Sequence, residues 1–134
     1  MLHFLVRRSE EVMTLKQYLS ITDALSDKTR VRALIALRNG EQCLCQIVEL
    51  LGLAPSTLSK HLDVLYRAGL VERTRKGRWR YFRLAGKKAS AEVRRVIALT
   101  LDALRDEPVI EDDARKARRI CRKDLKDLVS CYRK

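Results

Sequence analysis

Two short amphipathic segments joined by a glycine-containing turn constrain the fold of this chain more than any other feature. In the first, apolar residues recur at intervals of three and four between Leu44 and Leu51, which is the pattern of one helical face. Gly52 follows, and glycine readily takes the left-handed conformation that ends many helices. The second segment carries a stripe of three leucines: Leu58, Leu62 and Leu65. Two short helices around such a turn predict a helix-turn-helix, whose second helix is offered to DNA base edges.

A basic hairpin is predicted directly after the second helix. Residues 70–74 and 79–84 favour β-structure, and a glycine-containing turn, RKGR at 75–78, separates them. Six cations lie in this hairpin: Arg73, Arg75, Lys76, Arg78, Arg80 and Arg83. Like charges on neighbouring strands repel each other, so the cluster favours a partner that carries phosphates. The combination predicts a winged helix-turn-helix; the alternative is an ordinary helical pair packed on a hairpin.

The composition narrows the class of protein. A chain of 134 residues, 46% of them hydrophobic, corresponds to one globular domain. Its formal net charge of +12 favours a polyanionic partner, of which nucleic acid is the usual one. No apolar run suits a transmembrane helix and residues 1–8 are too short for a signal peptide, so a cytoplasmic location and no membrane partner are expected. The four cysteines are then expected to be reduced thiols or metal ligands.

Five blocks of sequence occur in the same order as in one known family. They are ALSDKTRVR at 24–32, GEQCLC at 40–45, SKHL at 59–62, AGLV at 68–71 and GRWRYFRL at 77–84. Over roughly residues 17–105 the chain resembles the ArsR/SmtB repressors, which sense arsenic and other metals. The resemblance implies a homodimer that binds double-stranded operator DNA and is released by a thiophilic inducer. It also implies that the first helix and the helix after the wing build the dimer interface.

The resemblance gives the first two cysteines a role. The arsenic-binding pattern of the resembling repressors is C-x-C-x-x-C, which Cys43 and Cys45 match and Val48 leaves incomplete. On an ideal helix the two cysteines lie about 200° apart around the axis. An ion bound by both thiolates is therefore predicted to distort the first turn of the helix that supports the DNA-reading helix. The alternative is that both cysteines are small buried residues without a ligand.

The C-terminal segment contains the other two cysteines. A last helix is predicted over about residues 110–132, with a seam for a second helix, in the dimer, at these positions: Ala114, Ala117, Cys121, Leu125, Leu128 and Tyr132. Cys121 and Cys131 are ten residues apart, about 15 Å along a helix, so they cannot hold one ion together. Because Val48 removes one expected thiolate, we hypothesise that Cys121 or Cys131 supplies a third ligand to the first cysteine pair.

Polar residues on the second helix and on the wing are predicted to contact DNA. They are Ser56, Thr57, Ser59, Lys60 and His61 on the helix and Arg75, Lys76, Arg78 and Arg80 on the wing. Hydroxyl and ammonium groups suit base edges and phosphates. For His61 a half-buried, hydrogen-bonded position is favoured over phosphate contact, and a metal ligand comes last. Arg30 and Arg32, on the preceding helix, fit a solvated face and a phosphate contact equally well.

The prediction is a mainly α winged helix-turn-helix with a two-stranded β-wing and with N- and C-terminal dimerisation helices. Residues 1–12 are expected to be disordered, residues 13–106 to bind DNA, and residues 107–134 to form a helix at the dimer contact.

The predicted function is that of a transcriptional repressor that arsenite or antimonite releases from DNA, with no organic cofactor. A thiol-oxidation-sensing repressor and a basic RNA- or ribosome-associated protein remain as alternatives. No catalytic constellation is recognisable, so an enzyme is not expected, and two histidines are too few for the family's Asp/His zinc site.

Overall fold

The computed structural model describes residues 12–120 and confirms a mainly helical winged-helix fold. Within these residues the elements follow in the order α1 Leu15–Ala24, α2 Lys28–Ala36, β1 Gln42–Cys43, α3 Leu44–Leu51, α4 Pro55–Arg67, β2 Val71–Lys76, β3 Trp79–Leu84, α5 Ala91–Ala103 and α6 Pro108–Ile120. Asp27 caps α2, because its carboxylate accepts hydrogen bonds from the backbone N–H groups of Thr29 and Arg30. No helix in the described part is long and apolar enough to cross a bilayer.

The sheet has one strand more than the two-stranded wing that the sequence predicted. Its order is β1-β3-β2, and both pairings are antiparallel. The extra strand pairs Gln42 with Phe82 and Cys43 with Tyr81. A strand of two residues is too short for an alternating pattern of apolar and polar residues, so β1 can be recognised only from its pairing with β3. This pairing connects the cysteine segment directly to the wing.

The helix-turn-helix is built around a core of completely buried leucines. The largest of the buried side chains come from α2, α3, α4 and the segments that follow them: Leu34, Leu37, Ile47, Leu58, Leu62, Leu65 and Leu70. Phe82 of β3 is buried with them, and Trp79 and Tyr81 pack against the same core. This core fixes α4 on α3 and the wing on both.

The last described helix packs inside the chain. Helix α6 packs mainly against α2 and α3, and its residues Ile110 and Ile120 are buried. Ala117, which the sequence assigned to a dimer seam, packs against this core, and Ala114 is half-buried. The remaining seam positions, with Cys121 and Cys131, lie outside the described residues, as do residues 1–11. A dimer contact by residues 107–134 therefore stays a prediction.

Two arginines of α2 are structural clamps, which neither of the two sequence interpretations anticipated. Arg32 donates two hydrogen bonds of 2.8 Å to the carboxylate of Asp113 and so joins α2 to α6. The same contact raises the pKa of the Arg32 guanidinium. Arg30 donates to the backbone carbonyl oxygens of Ala24 and Asp23, at 2.8 and 3.1 Å. These oxygens belong to the last turn of α1, where a helix has unpaired acceptors.

Candidate DNA-binding surface and thiol pocket

Helix α4 presents a polar face because its apolar face is anchored. Gly52 has a left-handed conformation with φ of 67°, which turns the chain sharply after α3. Ala54 precedes α4 without a side-chain cap, and Pro55 occupies the first helical turn. The opposite face of α4 is exposed at three predicted DNA-contact positions: Ser56, Thr57 and Lys60. The arrangement offers the N-terminal half of α4 to a partner.

Two other predicted contact residues on α4 are half-buried and hydrogen-bonded within the protein. Ser59 Oγ accepts a hydrogen bond of 2.5 Å from Nη2 of Arg80 on β3. The Nδ1 atom of His61 lies 3.4 Å from Nη1 of Arg30. The half-buried position favoured for His61 is confirmed. Whether either residue touches DNA stays a prediction.

The six cations of the wing are not equivalent. Arg73 is paired with Asp63 at 3.2 Å, Lys76 with Glu41 at 3.0 Å and Arg83 with Glu72 at 2.8 Å. Within residues 12–120, Arg75 and Arg78 form no such ion pair, and both are exposed near the tip of the hairpin. Arg80 is engaged with Ser59. Spacing along the sequence could not place Glu41 beside the wing, because the neighbourhood depends on β1 pairing with β3.

The two described cysteines are already together, which corrects the prediction that helical geometry holds them apart. Cys43 precedes α3 as its N-cap, with extended φ and ψ of −71° and 147°. Its backbone N–H donates to Oε1 of Gln46 at 2.8 Å. The Sγ atoms of Cys43 and Cys45 are 2.9 Å apart as free thiols. The separation of about 200° would apply only if both residues were helical, and Cys43 is not.

Burial favours the protonated thiol of Cys45. Cys43 and Cys45 are 2% and 3% exposed. Burial, together with the hydrogen bond from Cys45 to the sulfur of Cys43, raises the pKa of Cys45 to about 12. Thiolates rather than thiols react with disulfides and bind metal ions, so at neutral pH Cys45 is a poor nucleophile. A ligand that binds the Cys45 sulfur has to displace or accept its thiol proton.

A small cavity lies where the thiol pair meets the wing. Its volume is about 190 Å³. It is lined by Cys43, Leu44, Cys45, Arg75, Arg78, Trp79 and Arg80. Within residues 12–120 no group of three or more metal-binding side chains forms, so in this part of the chain no third such side chain joins the two thiols. The half-buried Val48 fills the position where the arsenic-binding pattern has a third cysteine.

Comparisons with known proteins agree with this architecture. The profile of bacterial regulatory proteins of the arsR family matches residues 27–73. The arsenic resistance transcriptional regulator ArsR1 of Pseudomonas putida is 43% identical over 61 residues, which are 45% of this chain and 48% of that protein. The chain thus spans about half the length of this relative. The HTH-type transcriptional regulator CmtR of Mycobacterium tuberculosis is 34% identical over 68% of this chain and 77% of that protein.

A solved structure matches the fold over a longer stretch. It is the homodimeric winged helix-turn-helix DNA-binding domain Mb0332 from Mycobacterium bovis, 30% identical with a TM-score of 0.59, covering 77% of this chain and 91% of that one. This neighbour shares the winged helix, and the sequence relatives include regulators of arsenic resistance and a regulator whose name specifies no inducer. The chain belongs to the ArsR family of winged helix-turn-helix transcription regulators.

Proposed function

We propose that this protein is a cytoplasmic homodimeric repressor that binds operator DNA and is released by arsenite or antimonite through Cys43 and Cys45. The observation that carries the proposal is the pair of free thiols, 2.9 Å apart, in a cavity whose other walls include three arginines of the wing. A ligand bound to the sulfurs would touch the same residues that are candidates for DNA contact. The names of relatives such as ArsR1 support a metalloid as that ligand.

The DNA-binding part of the proposal rests on exposed, unpaired cations beside the polar face of α4. Lys60 lies on α4, and Arg75 and Arg78 lie near the wing tip, all exposed. Within the described residues none of the three is neutralised by a carboxylate, so phosphates can bind them without displacing an internal partner. Their placement suits α4 in the major groove with the wing along the backbone.

The dimer part of the proposal rests on apolar side chains that the described chain leaves uncovered. On α1, Leu15 is 73% exposed, and Tyr18 and Leu19 are each 53% exposed. On α5, Leu99 is 66% exposed. Large apolar residues at helical spacing favour a protein interface when they remain exposed. The homodimeric Mycobacterium bovis neighbour supports this use, and a dimer would place two α4 helices about 34 Å apart on DNA.

Proton balance favours a metalloid hydroxide over a divalent cation. Cys43 and Cys45 can each transfer the thiol proton to a hydroxyl group of arsenous acid; each hydroxyl leaves as water while a sulfur–arsenic bond replaces an oxygen–arsenic bond. No proton is released to solvent in this exchange. A divalent cation would instead expel the thiol protons, and the pKa of about 12 for Cys45 opposes that at neutral pH.

This difference gives a pH test. We expect arsenite affinity to change less than about threefold between pH 6 and pH 8, because no net proton is released. Cadmium affinity should rise by about tenfold per pH unit for each proton displaced. Fluorescence of Trp79, which lines the cavity, reports binding of both ligands in DNA-free, reduced protein. Arsenite affinity that rises as steeply as cadmium affinity would contradict the hydroxide exchange.

A third thiolate from the C-terminal segment is part of the proposal. Helix α6 packs on α3, the helix that contains Cys45, and its last described residue Ile120 is buried. Cys121 follows Ile120 directly in the sequence, and Cys131 lies ten residues later. We expect Cys121→Ser or Cys131→Ser to weaken arsenite binding. If both variants bind arsenite as wild type does, the site has two protein thiolates, and a hydroxyl group or a small-molecule thiol occupies the third position.

The test of the proposed function is binding to a labelled duplex taken from DNA upstream of the protein's own gene. With reduced protein, arsenite should weaken wild-type binding by about 5- to 150-fold, as expected for an allosteric coupling of 1–3 kcal/mol. The Cys43→Ser and Cys45→Ser variants should bind the duplex and ignore arsenite. Release by peroxide but not by arsenite would instead support oxidation sensing. Equal affinity for unrelated DNA and RNA would support general nucleic-acid binding.

A further inference from the structure

Arg80 is the residue that touches both parts of the proposed switch. Its side chain lines the cavity that contains the two thiols. Its Nη2 atom donates a hydrogen bond of 2.5 Å to Oγ of Ser59, in the N-terminal half of α4. One half-buried guanidinium therefore spans the distance from the thiol pocket to the helix predicted to read DNA.

The backbone reinforces this connection. Cys43 lies on β1 and is paired with Tyr81 of β3, the residue that follows Arg80. A displacement of Cys43 by a ligand therefore acts on the strand that carries Arg80. A second contact between the wing and α4, the ion pair of Arg73 with Asp63, does not line the cavity. Of these two contacts between the wing and α4, only the one made by Arg80 adjoins the cavity in which a thiol ligand would bind.

We infer that Arg80 is the positioning residue that couples occupancy of the thiol pocket to the orientation of α4. This inference rests on the proposed function, since it concerns the regulation of the same site. A ligand on Cys43 and Cys45 occupies part of a cavity of about 190 Å³, and the Arg80 side chain forms one wall of that cavity. When the guanidinium moves, Ser59 loses its partner, and the N-terminal half of α4 loses a contact that orients it. Helix α3 need not unwind.

The experiment measures a ratio, the Kd for the upstream duplex with saturating arsenite divided by the Kd without it. Wild type should give about 5 to 150. Ser59→Ala and Arg80→Met should reduce the ratio to below about 2, because each removes the hydrogen bond that arsenite would break. Titration of DNA-free protein, followed by Trp79 fluorescence, should give an arsenite Kd within about twofold of wild type for Ser59→Ala. The readout is a ratio because both residues are also candidates for direct DNA contact.

Arg73→Ala is the matched control, because it removes the other wing contact to α4 and leaves the cavity intact. It should lower DNA affinity while keeping the wild-type ratio. The inference is overturned if Ser59→Ala and Arg80→Met keep the full ratio, or if Arg73→Ala loses the ratio as completely as they do. A wild-type ratio of one overturns the proposed function itself and this inference with it, so the two failures are distinguishable.

Discussion

The arginines of α2 and the arginines near the wing tip are the same chemical group in opposite environments. Arg32 shares two hydrogen bonds with Asp113, and the two side chains are only 22% and 12% exposed. Arg75 and Arg78 are exposed and form no ion pair within the described residues. In the first environment a carboxylate of the protein neutralises the guanidinium charge. In the second environment the guanidinium charge remains available to an external partner.

The contrast teaches that net charge alone does not locate a nucleic-acid surface. The formal charge of +12 includes cations that clamp helices, as Arg30 and Arg32 do, and cations neutralised along the wing, as Arg83 is. Removing a partner from a largely buried pair leaves a charge without compensation, which costs stability. Removing an exposed, unpaired cation costs little stability and weakens only the binding of its phosphate. The predictions below test this division.

The largest effect is expected at the α2–α6 clamp. Asp113→Asn should lower the free energy of unfolding by about 2–3 kcal/mol, because Arg32 keeps its charge and loses its carboxylate. Urea denaturation measures the loss. Asp112→Asn is the control, since Asp112 contacts Arg115 on the exposed side of the same helix, and it should change stability by less than about 0.5 kcal/mol. Equal unfolding free energies of the two variants would contradict the structural role assigned to Arg32 and Asp113.

The next largest effect is expected at the wing tip and concerns DNA rather than stability. Arg75→Ala and Arg78→Ala should each weaken duplex binding by about 1–2 kcal/mol. Each should also reduce the slope of log affinity against log salt concentration by about one, because one phosphate contact is lost. Unfolding free energies should stay within about 0.5 kcal/mol of wild type. A loss of stability with an unchanged salt slope would place these arginines with the structural group.

A smaller effect is expected for a wing arginine that already has partners. Arg83 contacts Glu72 at 2.8 Å and Glu41 at 3.5 Å. Arg83→Ala should weaken duplex binding by about 0.5 kcal/mol or less, because two carboxylates already offset its charge. Titration against Arg75→Ala under identical salt conditions measures the difference. Equal losses for the two variants would show that internal pairing does not separate the wing cations.

The smallest effect is expected at Glu72 and depends on pH. Its pKa is lowered by a hydrogen bond from the backbone N–H of Gly86 and by the side chain of Arg83. A lowered pKa means that the stabilisation is present above the ordinary carboxyl pKa of about 4.3 and is lost as the pH falls through the folded-state value. The carboxylate is about one-third exposed, so we expect Glu72→Gln to remove less than about 0.5 kcal/mol at pH 7 and to flatten the loss of stability between pH 5 and pH 3.

Sequence patterns predicted the parts of this molecule that depend on local periodicity. The apolar stripes of α3 and α4 and the glycine turns specify their elements from within a few residues, and the structure has them where predicted. The geometry of Cys43 and Cys45 was predicted wrongly, because Cys43 was treated as helical although it is the extended N-cap that precedes Leu44. The two-residue strand β1 has no local signal, and the clamp of Arg32 joins residues 81 positions apart. Non-local contacts of this kind are invisible to a pattern read along one segment.

The central claim is that the thiol pair and the DNA-binding surface are energetically coupled, and coupling between two binding sites is reciprocal. The most direct measurement is therefore an arsenite titration of reduced protein, followed by Trp79 fluorescence, with and without saturating upstream duplex. The account predicts that the duplex weakens arsenite binding by the same factor by which arsenite weakens duplex binding, about 5- to 150-fold. Superimposable titration curves in the presence and absence of the duplex would contradict it.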